Sequence, residues 1–310
     1  MDKYIDIQNN FWLISNGILG KECFKRLLHN HWYPSLIVTK KNTVVYKYLL
    51  ETKYPKVNIH LTDKINEDDS LLSKYYANKP NMILVVDFGQ IIKEGALLDN
   101  LCIGLHPSLL PELRGPTPIQ TAVFIKDKTG FTIYKLDKYV DNGVILYQDI
   151  IEDCEYGSNY IISNVSTRGI DKIVQIFSFY DGTLNGKPQN TVTATYTSKI
   201  NSNDYCFSFN DDCLLIQKKV RAYDAFGGAY TIYNNKRLKV FKCRAETNNL
   251  DDIKDFENRQ IGEILYDEPL IVKCGNGYIR LDEVQLEGKK IMYAPAWLRG
   301  MRLKEGDIIS

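Results

Sequence analysis

His106 closes the apolar run "LCIGL" (101–105) and opens the loop "HPSLLPELRGPTPIQ" (106–120). Pro107, Pro111, Pro116 and Pro118 restrict that loop's backbone and hold it in a rigid shape. A histidine there suits general acid/base work, because its charge changes near neutral pH. A carboxylate, Asp141, stands in the loop "DKYVDNG" (137–143), just beyond the strand candidate "GFTIYKL" (130–136). A histidine and a carboxylate from neighbouring strand ends could form a hydrogen-bonded pair. The carboxylate would orient the imidazole and favour its protonated form. By residue type alone, a loop histidine and a loop carboxylate are more often two solvated surface residues. Ser108 has no G-x-S-x-G around it and is not read as a nucleophile. His29 and His31 lack matched cysteine or carboxylate spacing, so no metal is expected.

The elements that must position this pair follow from hydrophobic patterning. "FWLIS" (11–15), "PSLIVT" (34–39), "KVNIH" (56–60) and "NMILVVDFG" (81–89) read as strands. Helical spacing separates them at about 18–28, in "NTVVYKYLLETK" and near 68–78. Such alternation implies parallel βαβ units and an α/β domain with a mostly parallel sheet. In open α/β sheets ligands bind beyond the carboxyl ends of the strands, where His106 falls. "GVILYQDII" (143–151) is a further strand, and one long helix is expected from about Gly157 to Tyr180.

The stretch "DGTLNGKPQNTVTATYTSK" (181–199) has no helical period and reads as a connection. Beyond it come one helix, "DDCLLIQKKVRAY", and five short strands with glycine turns, the pattern of a small barrel or sandwich. The expected division is a first domain at 1–184, a linker at 185–202 and a β-rich domain at 203–310.

Composition narrows the function classes. A net charge of +1 provides no global field for nucleic acid, so any such contact must be local. Seven scattered cysteines without a C-x-x-C pair fit a reducing compartment, and no apolar run spans a bilayer. A cytoplasmic protein that does not bind membranes is expected. "SNGILG" (15–20) is not a G-x-G-x-x-G turn and no Walker A sequence occurs, which disfavours NAD and ATP.

The stretches "HPSLLPELRGPTPIQTAV" and "TGFTIYKLDKYVDNGVILYQ" resemble the folate-dependent formyltransferases, and most of all the methionyl-tRNA formyltransferase group. "VRAYDAFGGAYTIYNNKRLKVF" and "DEVQLEGKKIMYAPAWLRGMRLKEGD" resemble the C-terminal domain of the same group, so the likeness runs over about residues 11–310. The resemblance implies a Rossmann-like formyltransferase domain, an OB-like barrel after it, and a monomer. It also implies formyl transfer from 10-formyltetrahydrofolate to a primary amine, with His106 and Asp141 in the centre. In that family an Asn usually stands two residues before the histidine, where this chain has Gly104. Three outcomes are open there: water or another side chain fills the space, a backbone N–H serves, or the protein is weakly active or only binds. The implied folate contacts are Phe88, Gly89, Gln90 and Ile91, then Ser108, Leu109, Leu110 and Pro111, then Tyr139 and Val140. Arg114 either positions substrate or holds the loop.

Two acceptors fit the resemblance: the methionyl group of initiator tRNA and an amino group on a nucleotide-linked deoxyamino sugar. Lys218, Lys219, Arg221, Lys236, Arg237, Lys239, Lys242 and Arg244 stand against Asp224 alone between 218 and 244, enough for a phosphate-contacting patch or for ordinary solvated faces. Against tRNA, only "KKN" (40–42), with Lys40 and Lys41, follows the second strand, where tRNA enzymes of the family usually carry a long basic insertion. Residues 201–310 also balance 17 basic against 17 acidic side chains.

Overall fold

The computed structural model describes residues 5–8, 10–52, 58–93, 95–125, 128–246 and 258–309. Two compact units are present. The first comprises Met1–Ala122, Lys126–Cys154 and Tyr160–Ser198, and the second comprises Val123–Ile125, Glu155–Asn159 and Lys199–Ser310.

The first unit is built on β1 (Phe11–Ile14), α1 (Ile18–His29), β2 (Leu36–Thr39), α2 (Val44–Thr52), β3 (Asn58–Leu61), α3 (Asp69–Asn78) and β4 (Met82–Val85). The chain continues through α4 (Ala96–Asp99), β5 (Cys102–His106), α5 (Pro118–Ile125), β6 (Thr129–Lys135) and β7 (Ile145–Ile151). The seven strands lie in the order β3-β2-β1-β4-β5-β6-β7. From β3 to β5 all pairings are parallel. Strands β1 and β2 are wholly buried, as expected of parallel strands covered on both faces, and this is why they read as unbroken apolar runs. β3, an edge strand, exposes Ile59 and Leu61.

The two pairings at the other side of the sheet are antiparallel, β5 with β6 and β6 with β7. Lys135 at the end of β6 therefore lies opposite Ile103 near the start of β5. His106 and Asp141 consequently do not come from neighbouring strand ends. The loop after β6 has to return along the sheet before Asp141 can reach the histidine.

The single helix expected at 157–180 is α6 (Ser158–Asn164), a π-helical turn at Val165–Gly169, and α7 (Ile170–Phe177). A Cβ on Gly169 would stand 2.8 Å from a methyl of Leu105, so glycine lets the helix lie close against β5 beside His106. After α7 the chain returns to the sheet. Lys187 exchanges both backbone hydrogen bonds with Ile145 of β7, at 2.8 and 2.9 Å. The segment that composition marks as a connection thus extends the sheet edge. Its Thr and Asn residues mask a role that depends wholly on distant partners.

In the second unit α8 (Cys213–Tyr223) begins at Asp212, whose carboxylate accepts from the Leu214 N–H at 2.7 Å. An antiparallel sheet follows, made of β8 (Ala229–Tyr233), β9 (Lys236–Glu246), β10 (Ile264–Asp267), β11 (Leu270–Lys273), β12 (Tyr278–Leu286) and β13 (Met292–Tyr293). Asn234 and Asn235 both have positive φ, the requirement of a two-residue hairpin between β8 and β9. A final helix, α9 (Ala294–Met301), is absent from the sequence reading. Pro295 at its start makes "YAPAW" look like a turn, although proline is well tolerated in a first helical turn.

Candidate active site

β5 ends at His106, which is 7% exposed. Its Nε2 lies 2.9 Å from the Leu113 carbonyl oxygen, which can only accept, so Nε2 carries the proton and donates. Nδ1 then faces Asp141, with 3.7 Å to Oδ1. Asp141 has φ +47°, in the left-handed region. Its Oδ2 accepts from the Gly115 N–H at 2.8 Å, and its Oδ1 accepts from the Tyr134 hydroxyl at 2.7 Å. Both carboxylate oxygens are therefore held. Nδ1 is thus turned toward the carboxylate while Nε2 keeps its acceptor, so the ring is held in one orientation.

The loop after His106 is fixed from both sides. The Ser108 hydroxyl, fully buried, donates to the Glu112 carbonyl at 2.6 Å. Thr132 of β6 donates to the Ser108 carbonyl and accepts from the Leu110 N–H. Gln148 of β7 donates to the Leu110 carbonyl and to the Thr132 hydroxyl. Leu109 packs over Gly130, and the Pro111 peptide is cis. From the far side, the Thr195 hydroxyl accepts from the Leu113 N–H at 2.8 Å, and the Thr197 N–H donates to the Arg114 carbonyl at 2.8 Å. Residues 189–197 act as a strap over the loop.

Arg114 is 3% exposed. Its Nε and Nη2 donate to Gln189 Oε1, and Nη1 donates to the Tyr196 hydroxyl. Gln189 in turn donates to the carbonyls of Asp141 and Gly143, at 2.9 and 2.8 Å. Of the two roles open to Arg114, the structure supports holding the loop. A guanidinium so buried and so bonded is not directed at an incoming substrate.

Gly104 lies directly opposite Tyr134 in the β5–β6 register. The space an asparagine would need is taken by the tyrosine ring. Tyr134 was not among the sequence candidates, although Thr132 and Tyr134 are the polar-tipped members of an alternating strand and share the face of Gly104 and His106. Gln189 gave no local signal.

The remaining candidates of the first unit occupy three loops. Phe88 is buried, and its carbonyl accepts from Asn16 Nδ2 at 2.6 Å. Gly89 is exposed with φ +79°. Gln90 Oε1 accepts from the Ile65 N–H, so this side chain supports its own loop. Ile91, Tyr139 and Val140 expose apolar surface. Lys40 is paired with Asp63 at 3.1 Å, and Lys41 is exposed.

The basic residues of the second unit divide into two kinds. Lys218 reaches the Phe124 carbonyl, Lys219 the Cys206 carbonyl, and Arg221 lies 3.9 Å from Glu155. On β9, Leu238 and Val240 are fully buried, so Arg237 and Lys239 alternate to the other face. Arg237 stacks over the Tyr230 ring at 4.6 Å, and Lys236 is exposed. Among the described residues no cluster of His, Cys, Asp and Glu could hold a metal ion, and no helix is long and apolar enough to cross a membrane.

Comparison with known proteins now adds to this geometry. Residues 21–166 match the family model described as formyl transferase, and residues 199–302 match that of the formyl transferase C-terminal domain. The methionyl-tRNA formyltransferase of Caldicellulosiruptor saccharolyticus is 31% identical over 258 residues, covering 82% of this chain and 82% of that protein. Among solved structures, HypX from Aquifex aeolicus in complex with tetrahydrofolic acid superposes with a TM-score of 0.65 at 14% identity, over 94% of this chain and 47% of that one. The N-formyltransferase from Helicobacter canadensis, in complex with folinic acid and dTDP-3-aminofucose, gives 0.57 at 16% identity, over 88% and 98%. At such identities the two structures speak for the fold alone.

Proposed function

The chain belongs to the formyl transferase family, and we propose that it transfers a formyl group from 10-formyltetrahydrofolate to the amino group of methionyl initiator tRNA. The observation that carries the reading is His106 held against a doubly anchored Asp141. Exposed apolar side chains at Ile91, Tyr139 and Val140 suit one wall of a slot for a flat heteroaromatic ring, with loop backbone groups to bond its edge. The folate supplies the activated formyl carbon. His106 in its imidazolium form stabilises the oxygen that turns negative when an amine adds to that carbon. Asp141 orients the imidazole and accepts the proton that the amine gives up. That proton is passed to the departing nitrogen, so the proton count closes. The rigid loop 107–114 keeps the imidazole from turning away.

The tRNA acceptor rests on the curated relative's activity, on the exposed Lys236 and Arg237 and on the half-buried Lys239. A cytoplasmic location goes with it. The three-residue loop at Lys40 and Lys41, with Lys40 already paired to Asp63, favours a second reading, a nucleotide-linked amino sugar. The solved sugar enzyme, which shares this fold, illustrates that reading.

Purified protein supplied with 10-formyltetrahydrofolate and charged initiator tRNA should yield formyl-methionyl-tRNA, and His106→Ala should lower the rate by about 10²–10⁴. Transfer to nucleotide-linked amino sugars alone would replace the tRNA reading. Folate binding without transfer to either acceptor would remove the enzymatic one.

A further inference from the structure

Gly104 has no side chain, yet the space above it is not open. A Cβ at this position would stand 2.3 Å from Tyr134 Cε1, 2.6 Å from its Cζ and 2.8 Å from a methyl of Leu136. Real Cβ atoms do not come so near, so any larger residue at 104 requires Tyr134 to move. The register explains the closeness. Gly104 and Tyr134 are Cα partners across β5 and β6, and their side chains share a face with His106 and Thr132. From there the phenol reaches the site itself. Its hydroxyl donates to Asp141 Oδ1, the same oxygen that faces His106 Nδ1.

We infer that Gly104 and Tyr134 form a coupled pair, in which the glycine admits the tyrosine ring and the tyrosine hydroxyl positions the Asp141 carboxylate toward His106. The inference rests on the formyl-transfer reading for its catalytic consequence, and on geometry alone for the coupling. Tyr134 is 7% exposed, and its ring is clamped between Gly104 and the returning loop. A buried hydroxyl with a charged acceptor makes a strong hydrogen bond, and the donor here is rigid. Burial, and then the neighbouring Asp141 charge, push the phenol well above its usual value, so it remains a donor at neutral pH. The charged or titratable groups around the pair are His106 on β5, Asp141 and Asp137 on the returning loop, Cys102 on β5, and Arg114, linked to the Asp141 backbone through Gln189.

Tyr134→Phe keeps the ring and removes only the hydroxyl. It should lose about 10- to 100-fold in kcat, the scale of one hydrogen bond to a charged group, with the KM for 10-formyltetrahydrofolate unchanged. A Phe variant with the wild-type kcat, or one whose loss lies in KM, would overturn the positioning role.

The steric half is read by thermal melting and needs no activity. Gly104→Asn should lower the melting midpoint, and most of that loss should vanish when the same change is made in a Tyr134→Ala background. Additive losses would overturn the coupling. If the wild-type protein transfers formyl to no acceptor, the functional reading fails while the melting cycle still decides the pair.

Discussion

Both nitrogens of His106 are committed, one to the Leu113 carbonyl and the other toward Asp141, so the imidazole cannot flip without breaking a bond. Asp141 is fixed in the same way by Gly115 and Tyr134. The phenol's folded value is raised above its unfolded one, so its contribution to stability is complete below about pH 10 and is lost only as pH rises beyond that. Loss of activity at mildly alkaline pH would therefore have a source other than Tyr134. Gln189 carries a comparable burden from 48 residues away, bonding the Asp141 carbonyl on one side and the Arg114 guanidinium on the other. Gln189→Ala should cost about 1.5–3 kcal/mol, because it leaves the buried cation short of acceptors. Urea unfolding at neutral pH measures that loss, and an accompanying fall in kcat would show that the strap also orders the site.

Among the elements, α1 and α7 are joined by Arg26 and Asp171, with Nε donating to Oδ1 at 2.7 Å and Asn30 donating to the same oxygen. Burial opposes the Asp171 charge, yet the bonds from Arg26 and Asn30 outweigh it and hold the carboxyl below its usual range. A depressed folded value means this contribution is present above about pH 4 and lost as pH falls through the folded value. Asp171→Asn should thus be less stable than wild type at pH 7, with the gap closing in acid, as urea midpoints across pH would show. The effect is modest, because the carboxylate is more than a third exposed and screened. The β5–β6 pairing matters more for function. Its antiparallel sense sets Tyr134 beside Gly104 and obliges the 136–143 loop to bring Asp141 back.

At the level of the whole molecule, the acceptor is the open question that charge can address. Arg237 and Lys239 lie on the outward face of β9, away from the buried Leu238 and Val240. With tRNA as acceptor, Arg237→Glu together with Lys239→Glu should raise the KM for tRNA and flatten its salt dependence by about 2 in log–log slope. Neither change should alter the KM for the folate. Initial rates over a range of salt concentrations test this, and an unchanged slope would direct attention to a smaller acceptor.

The sequence by itself determined most of the strands and the ends of the motif. Unbroken apolar runs marked the buried parallel strands, His106 and Ser108 were visible because they stand together in one loop, and Asp141 because it stands in the loop just beyond the next strand candidate. It did not contain the direction of β6, the return of residues 185–198, or the tenant of the space over Gly104. Those are decided by contacts between distant residues, such as Gly104 with Tyr134, 30 positions apart, and Leu113 with Thr195, 82 apart. Local hydrophobic periods encode which residues form a strand and which face is buried. They carry no information on which strand lies alongside or in which sense it runs, and at Gly104 that choice alone filled the gap with a phenol.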